Sequence, residues 1–333
     1  MIDRDIVRGA LLGTAVGDAL GMPVEGLSHQ NVRTYYKGIK EFRADEKRGD
    51  LEAGQWTDDT QFTIALAEAL TEAEDIGELR DAVEHFVEKL VALRASPRRW
   101  GKTSTGAIDA LADGTPWQKA GVPDRPTNGA AMRAAPLGLW WATTDLPFTE
   151  AVDRLLPLCS CTHKDPVAIS GALGQAYAVR GAALSEPSSF DPENFWSELI
   201  EAVASIERIT GEKKQLTSSR LKTLTDHLDE YPLDLQERCD GTSSIVHESW
   251  PFSVAMFVRN PRLVEATLLS SVNVGGDADT VGAMVGALLG AFNGWSAFPQ
   301  EWRQQLENTA ELQQTADEFY ERLAYSAGHV GKK

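Results

Sequence analysis

Two short segments rich in carboxylates and hydroxyls contain the residues best suited to chemistry. The first is Gln55-Trp56-Thr57-Asp58-Asp59-Thr60, and the second runs from 274 to 282 and contains Asp277, Asp279 and Thr280. Carboxylates this close together repel one another and resist ionisation unless a positive charge sits between them. Hard divalent cations, which take carboxylate, hydroxyl and water oxygens, are the usual partners of such groups. The segments therefore predict a metal centre built from both ends of the sequence.

Helix capping is the alternative interpretation of each segment. Asp and Thr cap helices and place negative charge at the positive end of the helix dipole, and for residues 57–59 alone capping is the better explanation. Capping needs only one oxygen, so the second segment supplies more donors than a cap requires. Gly275 and Gly276 precede those donors and allow the backbone to approach a ligand closely, so we assign them to substrate binding. The second segment thus favours a metal site.

The elements that position these segments are predicted to be helices. Helical periodicity dominates the sequence, and convincing strand alternation is scarce. We predict one all-α domain over residues 1–333, with a peripheral polar excursion at 185–242. Helices are predicted at residues 3–20, 58–73, 77–94, 104–112, 129–142, 148–159, 165–184, 193–210, 217–229, 244–258, 261–271, 279–293 and 300–326.

Glycine recurs every fourth residue in the first helix and in the helix after the second acidic segment. The positions are 9, 13, 17 and 21 in one series, and 282, 286, 290 and 294 in the other. Residues i and i+4 share a helix face, and each interior glycine costs about 1 kcal/mol relative to Ala. We hypothesise that both helices are central and tightly packed, and that packing against each other brings the two acidic segments together. The alternative is that one stripe accommodates a bulky neighbour.

A further acidic residue follows the first helix. Pro23 is expected to end that helix, which leaves Glu25 in a loop close to its end. A loop carboxylate near a metal is a candidate ligand or general acid/base, and a solvated surface acid is the alternative. Asp18, within the helix, is interpreted as a structural partner of the site.

Bulk properties exclude several classes of protein. The 333 residues are 42% hydrophobic and 24% charged, with a net charge of −17, which argues against nucleic-acid binding and against docking on anionic membranes. A phosphate-bearing small substrate stays compatible, because a bound metal inverts the local field. Three cysteines give neither a disulfide framework nor zinc-ligand spacing. With no secretory pattern at the start and no apolar run of spanning length, we expect a cytoplasmic protein, and we slightly favour a monomer.

Taken together, the motifs resemble the ADP-ribosylglycohydrolase family, particularly the bacterial dinitrogenase reductase-activating glycohydrolase type. The matching pieces are residues 9–21 with Glu25, residues 56–60, residues 128–133, Thr162-His163 and residues 275–280. They stand in the family's order along most of the chain. The resemblance implies an all-α fold with a metal-containing cleft. It also implies hydrolysis of the C1″ glycosidic bond between ADP-ribose and an acceptor, which is a protein side chain, a nucleic acid or a small molecule, with release of ADP-ribose.

The resemblance also implies roles for individual residues. It implies two divalent cations, Mg²⁺ or Mn²⁺, held by Thr57, Asp58, Asp59, Asp277, Asp279 and Thr280. Glu25 corresponds to an acidic residue beside the metals that assists as acid–base or positions water, with Asp59 or Asp279 as the base. Substrate contacts are implied for His163 and for the loop Asn128-Gly129-Ala130, although family members often have Gly where Ala130 or Ala131 stands.

Two other functions use the same residues. A two-metal phosphoesterase or pyrophosphohydrolase would release AMP or phosphate, and a non-catalytic ADP-ribose-binding protein would release nothing. Retention of all six implied ligands together with Glu25 favours the hydrolase. The basic segment 94–102 lies either at the cleft rim, facing an anionic substrate, or on a solvated loop, and we prefer the loop. The residues do not specify the acceptor or distinguish Mg²⁺ from Mn²⁺.

Overall fold

The computed structural model describes residues 2–79 and 81–330, which contain 17 α-helices and no β-sheet. The predicted domain also includes Met1, Arg80 and residues 331–333, which lie outside the described residues. The helices are α1 Arg4–Gly21, α2 His29–Tyr36, α3 Asp58–Glu72, α4 Ala82–Ala92, α5 Lys102–Ala112, α6 Trp117–Ala120, α7 Ala135–Ala142, α8 Phe148–Ser160, α9 Pro166–Leu184, α10 Pro192–Thr210, α11 Leu216–Leu224, α12 Pro232–Arg238, α13 Val246–Arg259, α14 Val264–Val272, α15 Ala278–Asn293, α16 Gln300–Gln305 and α17 Thr309–Val330. The prediction of an all-α fold is confirmed.

The predicted helices differ from the observed ones where hydrophobic periodicity is weak. Helix α2 was not predicted, because among its residues only Val32 is buried. The helix predicted at 129–142 begins at Ala135, after a 3₁₀ turn at Asn128–Ala130. The helix predicted at 300–326 is divided into α16 and α17, and Asn308 between them adopts a left-handed conformation with φ of 54°. Turn geometry of this kind leaves little trace in an apolar pattern.

Helices α1 and α15 cross in antiparallel directions at the centre of the molecule. A Cβ atom added at Gly17 would lie 1.8 Å from the carbonyl oxygen of Gly282, and one added at Gly286 would lie 2.0 Å from that of Gly13. Backbone therefore contacts backbone along the crossing, which only glycine permits. The predicted packing of the two glycine stripes is confirmed, although Gly294 follows the end of α15.

The remaining helices surround this central pair. Helix α15 packs also against α9, α13 and α14, and α1 packs against α3, α7 and α17. The segment 185–242 contains α10, α11 and α12, which pack on α9 and α13. Trp196 of α10 is buried in the common core. None of the described helices is both long enough and apolar enough to cross a membrane.

Candidate active site

The crossing of α1 and α15 brings the two acidic segments together. Thr57 is the N-cap residue of α3, and Asp277 is that of α15. Asp59 Oδ2 accepts a hydrogen bond from the Thr280 hydroxyl at 3.3 Å and lies 3.1 Å from the Thr57 hydroxyl oxygen. Thr280 and Asp59 are 221 residues apart in sequence. The side-chain oxygens at the N-termini of α3 and α15 therefore lie together in one site.

Asp18 fixes the start of α3 from the neighbouring helix. Its carboxylate accepts hydrogen bonds from the backbone N–H of Thr57, at 3.0 Å, and of Thr60, at 3.1 Å. It also accepts the Thr57 hydroxyl at 3.0 Å and the Thr60 hydroxyl at 2.6 Å. Four donors satisfy this fully buried carboxylate. As the sequence suggested, Asp18 is a structural partner of the site.

The loop after α1 carries Glu25 to the second acidic segment. Carboxylate oxygens of Glu25, Asp277 and Asp279 lie within 4.8 Å of one another. The backbone N–H of Gly26 donates to the carbonyl of Gly276 at 2.7 Å, and the N–H of Gly276 donates to the carbonyl of Leu27 at 2.8 Å. Two reciprocal backbone hydrogen bonds therefore hold Glu25 beside the aspartates.

Gly275 and Gly276 are required by the shape of this loop junction. Both have positive φ, 80° and 76°, a conformation that favours glycine. A Cβ atom at Gly275 would lie 2.1 Å from the carbonyl oxygen of Leu27, and one at Gly276 would lie 2.3 Å from Thr242 Oγ1. Their N–H groups donate to the carbonyls of Val272 and Leu27, and neither residue lines the cleft. These amide groups are therefore already used within the protein.

The 3₁₀ turn Asn128–Ala130 closes one side of the site. The Asn128 side-chain amide donates to Asp277 Oδ2 at 2.7 Å and to Ser249 Oγ at 3.1 Å. The backbone N–H of Asn128 donates to the carbonyl of Ser244 at 3.0 Å. Asn128 thus orients one of the aspartates, whereas Ala130 faces the core.

The residues surround a cleft with a volume of about 330 Å³. Nine of the thirteen residues predicted for the site line it, namely Glu25, Asp58, Asp59, Asn128, Gly129, His163, Asp277, Asp279 and Thr280. The other four, Thr57, Ala130, Gly275 and Gly276, do not line the cleft. His163 is fully buried, and its Nε2 atom has no hydrogen-bond partner in the described part of the chain.

Several lining residues were not predicted from the sequence, and these are Thr103, Ser104, Arg125, Thr127, Met132 and Ser244. Thr103 and Ser104 belong to the first turn of α5, and the run Gly101-Lys102-Thr103-Ser104 at a helix start was the available signal. Arg125 lies in a proline-flanked loop, whose position no local pattern reveals.

The basic segment 94–102 divides between structural and cleft-facing residues. Arg98 pairs with Glu307 and stacks over the Trp56 ring at 4.0 Å. Arg99 pairs with Asp45 and Asp50 and lies 3.4 Å from Glu25. Arg99 and Lys102 both line the cleft. The solvated-loop interpretation is wrong for Arg99, whose side chain is only 9% exposed, whereas Lys102 is exposed at the cleft.

The five aspartates of the site have raised pKa values, and burial is the largest cause for each of them. Burial, followed by the charge of Asp18, raises the pKa of Asp58 and of Asp59 well above the ordinary value. Burial, followed by the charge of Glu25, does the same to the pKa of Asp279. Burial raises the pKa of Asp18 and of Asp277 to about 6. Clustered carboxylates in this state need a cation to ionise together at neutral pH.

Comparisons with known proteins show to which class of protein this fold and cleft belong. The family model for ADP-ribosylglycohydrolase matches residues 1–327. An uncharacterized protein of Archaeoglobus fulgidus is 34% identical over 317 residues, covering 94% of this chain and 95% of its own length. ADP-ribosylhydrolase ARH3 of Homo sapiens is 26% identical over 337 residues, covering 91% of this chain and 90% of its own.

A solved structure agrees with these sequence matches. It is titled "ADP-ribosylglycohydrolase-related protein complex" and superimposes with a TM-score of 0.71 at 27% identity, covering 96% of this chain and 98% of its own. The protein is therefore a glycohydrolase by class. The chain belongs to the ADP-ribosylglycohydrolase family.

Proposed function

We propose that this protein is a metal-dependent ADP-ribosyl hydrolase that cleaves the C1″ glycosidic bond between ADP-ribose and an acceptor and releases ADP-ribose. The observation that carries the proposal is the convergence of both acidic segments with Glu25 in one cleft. Family membership and the hydrolase relative support the reaction class.

The residues fit divalent cations. Asp59 Oδ1 is buried and has no hydrogen-bond partner in the part of the chain that the structure describes. Arg48 and Arg99 pair with Glu25 and with aspartates outside the proposed ligand set. Carboxylate and hydroxyl oxygens are the ligands that Mg²⁺ and Mn²⁺ prefer. We propose that two such ions are held by Thr57, Asp58, Asp59, Asp277, Asp279 and Thr280. Bound there, the ions would orient the ribose hydroxyls and offset the negative charge of the acids.

Glu25 is the proposed acid–base group. Its carboxylate is partly exposed to the cleft and lies next to Asp277 and Asp279, so it is able to exchange a proton with a leaving group or an attacking water. Arg48 and Arg99 bind it from the other side and limit its rotation. Asp59 and Asp279 are the proposed bases for the water, since both carboxylates line the cleft and are ionised once cations are bound beside them.

The substrate surface extends from the acids toward the rim. Asn128, Gly129 and His163 line the wall, and Lys102 and Arg125 place exposed cations at the rim. These cations suit the negative diphosphate of ADP-ribose, which a chain of net charge −17 would otherwise repel. We include Ala130, Gly275 and Gly276 in the proposed substrate region because they support the turn and the loop that form its walls.

Product analysis tests the proposed reaction. We expect the protein with Mg²⁺ or Mn²⁺ to release intact ADP-ribose from arginine-, serine- or nucleic-acid-linked ADP-ribosyl substrates, resolved by chromatography. Release of AMP or phosphate would instead indicate a pyrophosphohydrolase or phosphoesterase. Binding of ADP-ribose without turnover of any of the three linkages would indicate a binding protein. Either of these results would overturn the proposal.

Without metal, the protein should be less stable at neutral or alkaline pH than at acidic pH, which is the opposite of the usual dependence. Because the pKa values of the aspartates are raised, the native state holds more protons than the unfolded chain. The free energy of unfolding therefore falls as the pH rises from 3.8, the pKa of an aspartate in the unfolded chain, through about 6, the pKa of Asp18 and Asp277 in the native state. We expect protein in chelator to be roughly 3 kcal/mol less stable at pH near 8 than at pH near 5. Thermal unfolding followed by circular dichroism measures this.

The matched control is the same protein with Mn²⁺. The ion should remove most of the loss at pH near 8, because it binds only the ionised native site. A metal-free stability that rises with pH over this window, or that is insensitive to Mn²⁺, would contradict the assignment of the acidic cluster.

A further inference from the structure

Arg133 is a buried guanidinium behind the cleft wall and is only 1% exposed. In the described part of the chain its hydrogen bonds go to uncharged oxygens. Nη1 donates to the carbonyl of Gly129 at 2.9 Å, and Nη2 donates to the hydroxyl of Thr162 at 2.6 Å. The guanidinium also lies over the Phe86 ring at 5.1 Å. Burying a cation that has no ion-pair partner is costly. This cost suggests that Arg133 has a function at the site.

The hydroxyl of Thr162 connects Arg133 to His163. Thr162 is fully buried, and its Oγ1 lies 2.8 Å from His163 Nδ1. A guanidinium is a donor only, so the hydroxyl oxygen must accept from Arg133. The hydroxyl has one hydrogen, and its neighbouring acceptors among the described residues are His163 Nδ1 and the sulfur of Cys161, which is a weak acceptor. If Nδ1 carried the proton, the buried hydroxyl hydrogen would have only the weakly accepting sulfur of Cys161 as a partner, which costs free energy relative to the bond with Nδ1.

We propose that Arg133 and Thr162 are positioning residues that fix His163 as the Nε2–H tautomer, so that this ring donates a hydrogen bond to an oxygen of the bound substrate. The proposal rests on the proposed function for the identity of that substrate. The assignment of the proton follows from the hydrogen-bond count and holds without any ligand.

The environment of the ring agrees with a permanent neutral donor. Burial and the charge of Arg133 lower the pKa of His163 well below its ordinary value, so the ring carries one proton at neutral pH. His163 lines the cleft, and its Nε2 atom is buried and has no hydrogen-bond partner among the described residues. A Cβ atom at Gly129 would lie 2.8 Å from Nε2, so a side chain at this position would collide with the ring. Phosphate and ribose oxygens are the acceptors that ADP-ribose supplies.

Heteronuclear NMR of the imidazole nitrogens in the unliganded protein tests the tautomer directly. We expect the resonances of His163 to show a protonated Nε2 and an unprotonated Nδ1. A protonated Nδ1, or a mixture of both tautomers, would overturn the proposal. This spectrum requires no activity and no folded variant, so its outcome is independent of the proposed reaction.

Three variants then test the positioning role. Thr162→Val should produce a mixture of tautomers and raise the Kd for ADP-ribose about tenfold, since one hydrogen bond is lost, whereas Thr162→Ser should stay within about twofold of wild type because it retains the hydroxyl. The matched control is Thr267→Val, which removes a buried hydroxyl that donates to the Asn260 carbonyl away from the cleft. It should leave both readouts unchanged.

The outcomes separate the two proposals. If Thr162→Val kept the wild-type affinity and the wild-type tautomer, the Thr162 hydroxyl would have only a general structural role. The same conclusion would follow if Thr267→Val lost as much affinity as Thr162→Val. Wild-type protein that does not bind ADP-ribose by titration calorimetry in Mg²⁺ would contradict the proposed function and the substrate contact together. The spectrum of unliganded protein would still decide the tautomer.

Discussion

Replacing Asp59 with Asn should lower turnover by about a thousandfold or more. The substitution removes several kcal/mol of metal-dependent stabilisation of the transition state, and each 1.36 kcal/mol lost lowers the rate about tenfold. Asp59 is the residue that touches both halves of the site, because its Oδ2 meets the hydroxyls of Thr57 and Thr280. Its Oδ1 is buried and has no hydrogen-bond partner within the described residues. Asn keeps the shape and removes the charge, so the fold should persist. Steady-state kinetics and Mn²⁺ titration calorimetry measure the two losses.

The same substitution at an exposed position provides the control. Asp153 lies exposed on α8, outside the cleft, and Asp153→Asn should retain wild-type turnover and metal affinity. Asp59→Asn protein that binds Mn²⁺ and turns over like wild type would remove Asp59 from the metal site and from catalysis.

Replacing Gly17 with Ala should destabilise the protein by more than about 3 kcal/mol. The added Cβ atom would lie 1.8 Å from the carbonyl oxygen of Gly282 and 2.2 Å from its carbonyl carbon. Both contacts are with the backbone of a buried helix, which has no side chain to move aside. The two helices must move apart at this crossing. Gly17 adjoins Asp18, and Gly282 is two residues from Thr280, so the movement would disturb the proposed ligands and metal affinity should fall as well. Chemical denaturation and Mn²⁺ titration measure the two effects.

An exposed helical glycine provides the matched control with the opposite sign. Gly106 lies within α5, and the nearest atom to an added Cβ is Val122 Cγ2 at 3.8 Å, an ordinary contact. Gly106→Ala should therefore stabilise the protein by about 0.5–1 kcal/mol through the better helix propensity of Ala. If Gly17→Ala were as stable as wild type, the central crossing would not depend on backbone contact.

The sequence predicted the centre of this fold because its physical signals were local and periodic. Glycine at every fourth position has a cost that demands a close partner, and two such stripes could satisfy each other. The crossing of α1 and α15 then placed Asp59 and Thr280 in contact. The all-α class followed from periodicity, and Asp18 was correctly interpreted as a structural partner.

Other parts of the site depend on contacts between distant loops, and the sequence does not encode those locally. Ser244 and Arg125 reach the cleft through turns that only the packed fold positions. Gly275 and Gly276 suggested a ligand contact by type, whereas their backbone geometry is that of a loop junction with Leu27. The buried Arg133 carried no periodic signature, because an arginine beside a short 3₁₀ turn resembles a surface residue in sequence.

Anomalous diffraction from crystals of the protein with Mn²⁺ and ADP-ribose tests the central claim most directly. The account predicts two manganese peaks between the N-termini of α3 and α15, in contact with carboxylate oxygens of Asp59 and Asp279, with the ribose of ADP-ribose next to them. Absence of manganese from this cleft at a concentration that supports turnover, or manganese bound only elsewhere, would contradict the account.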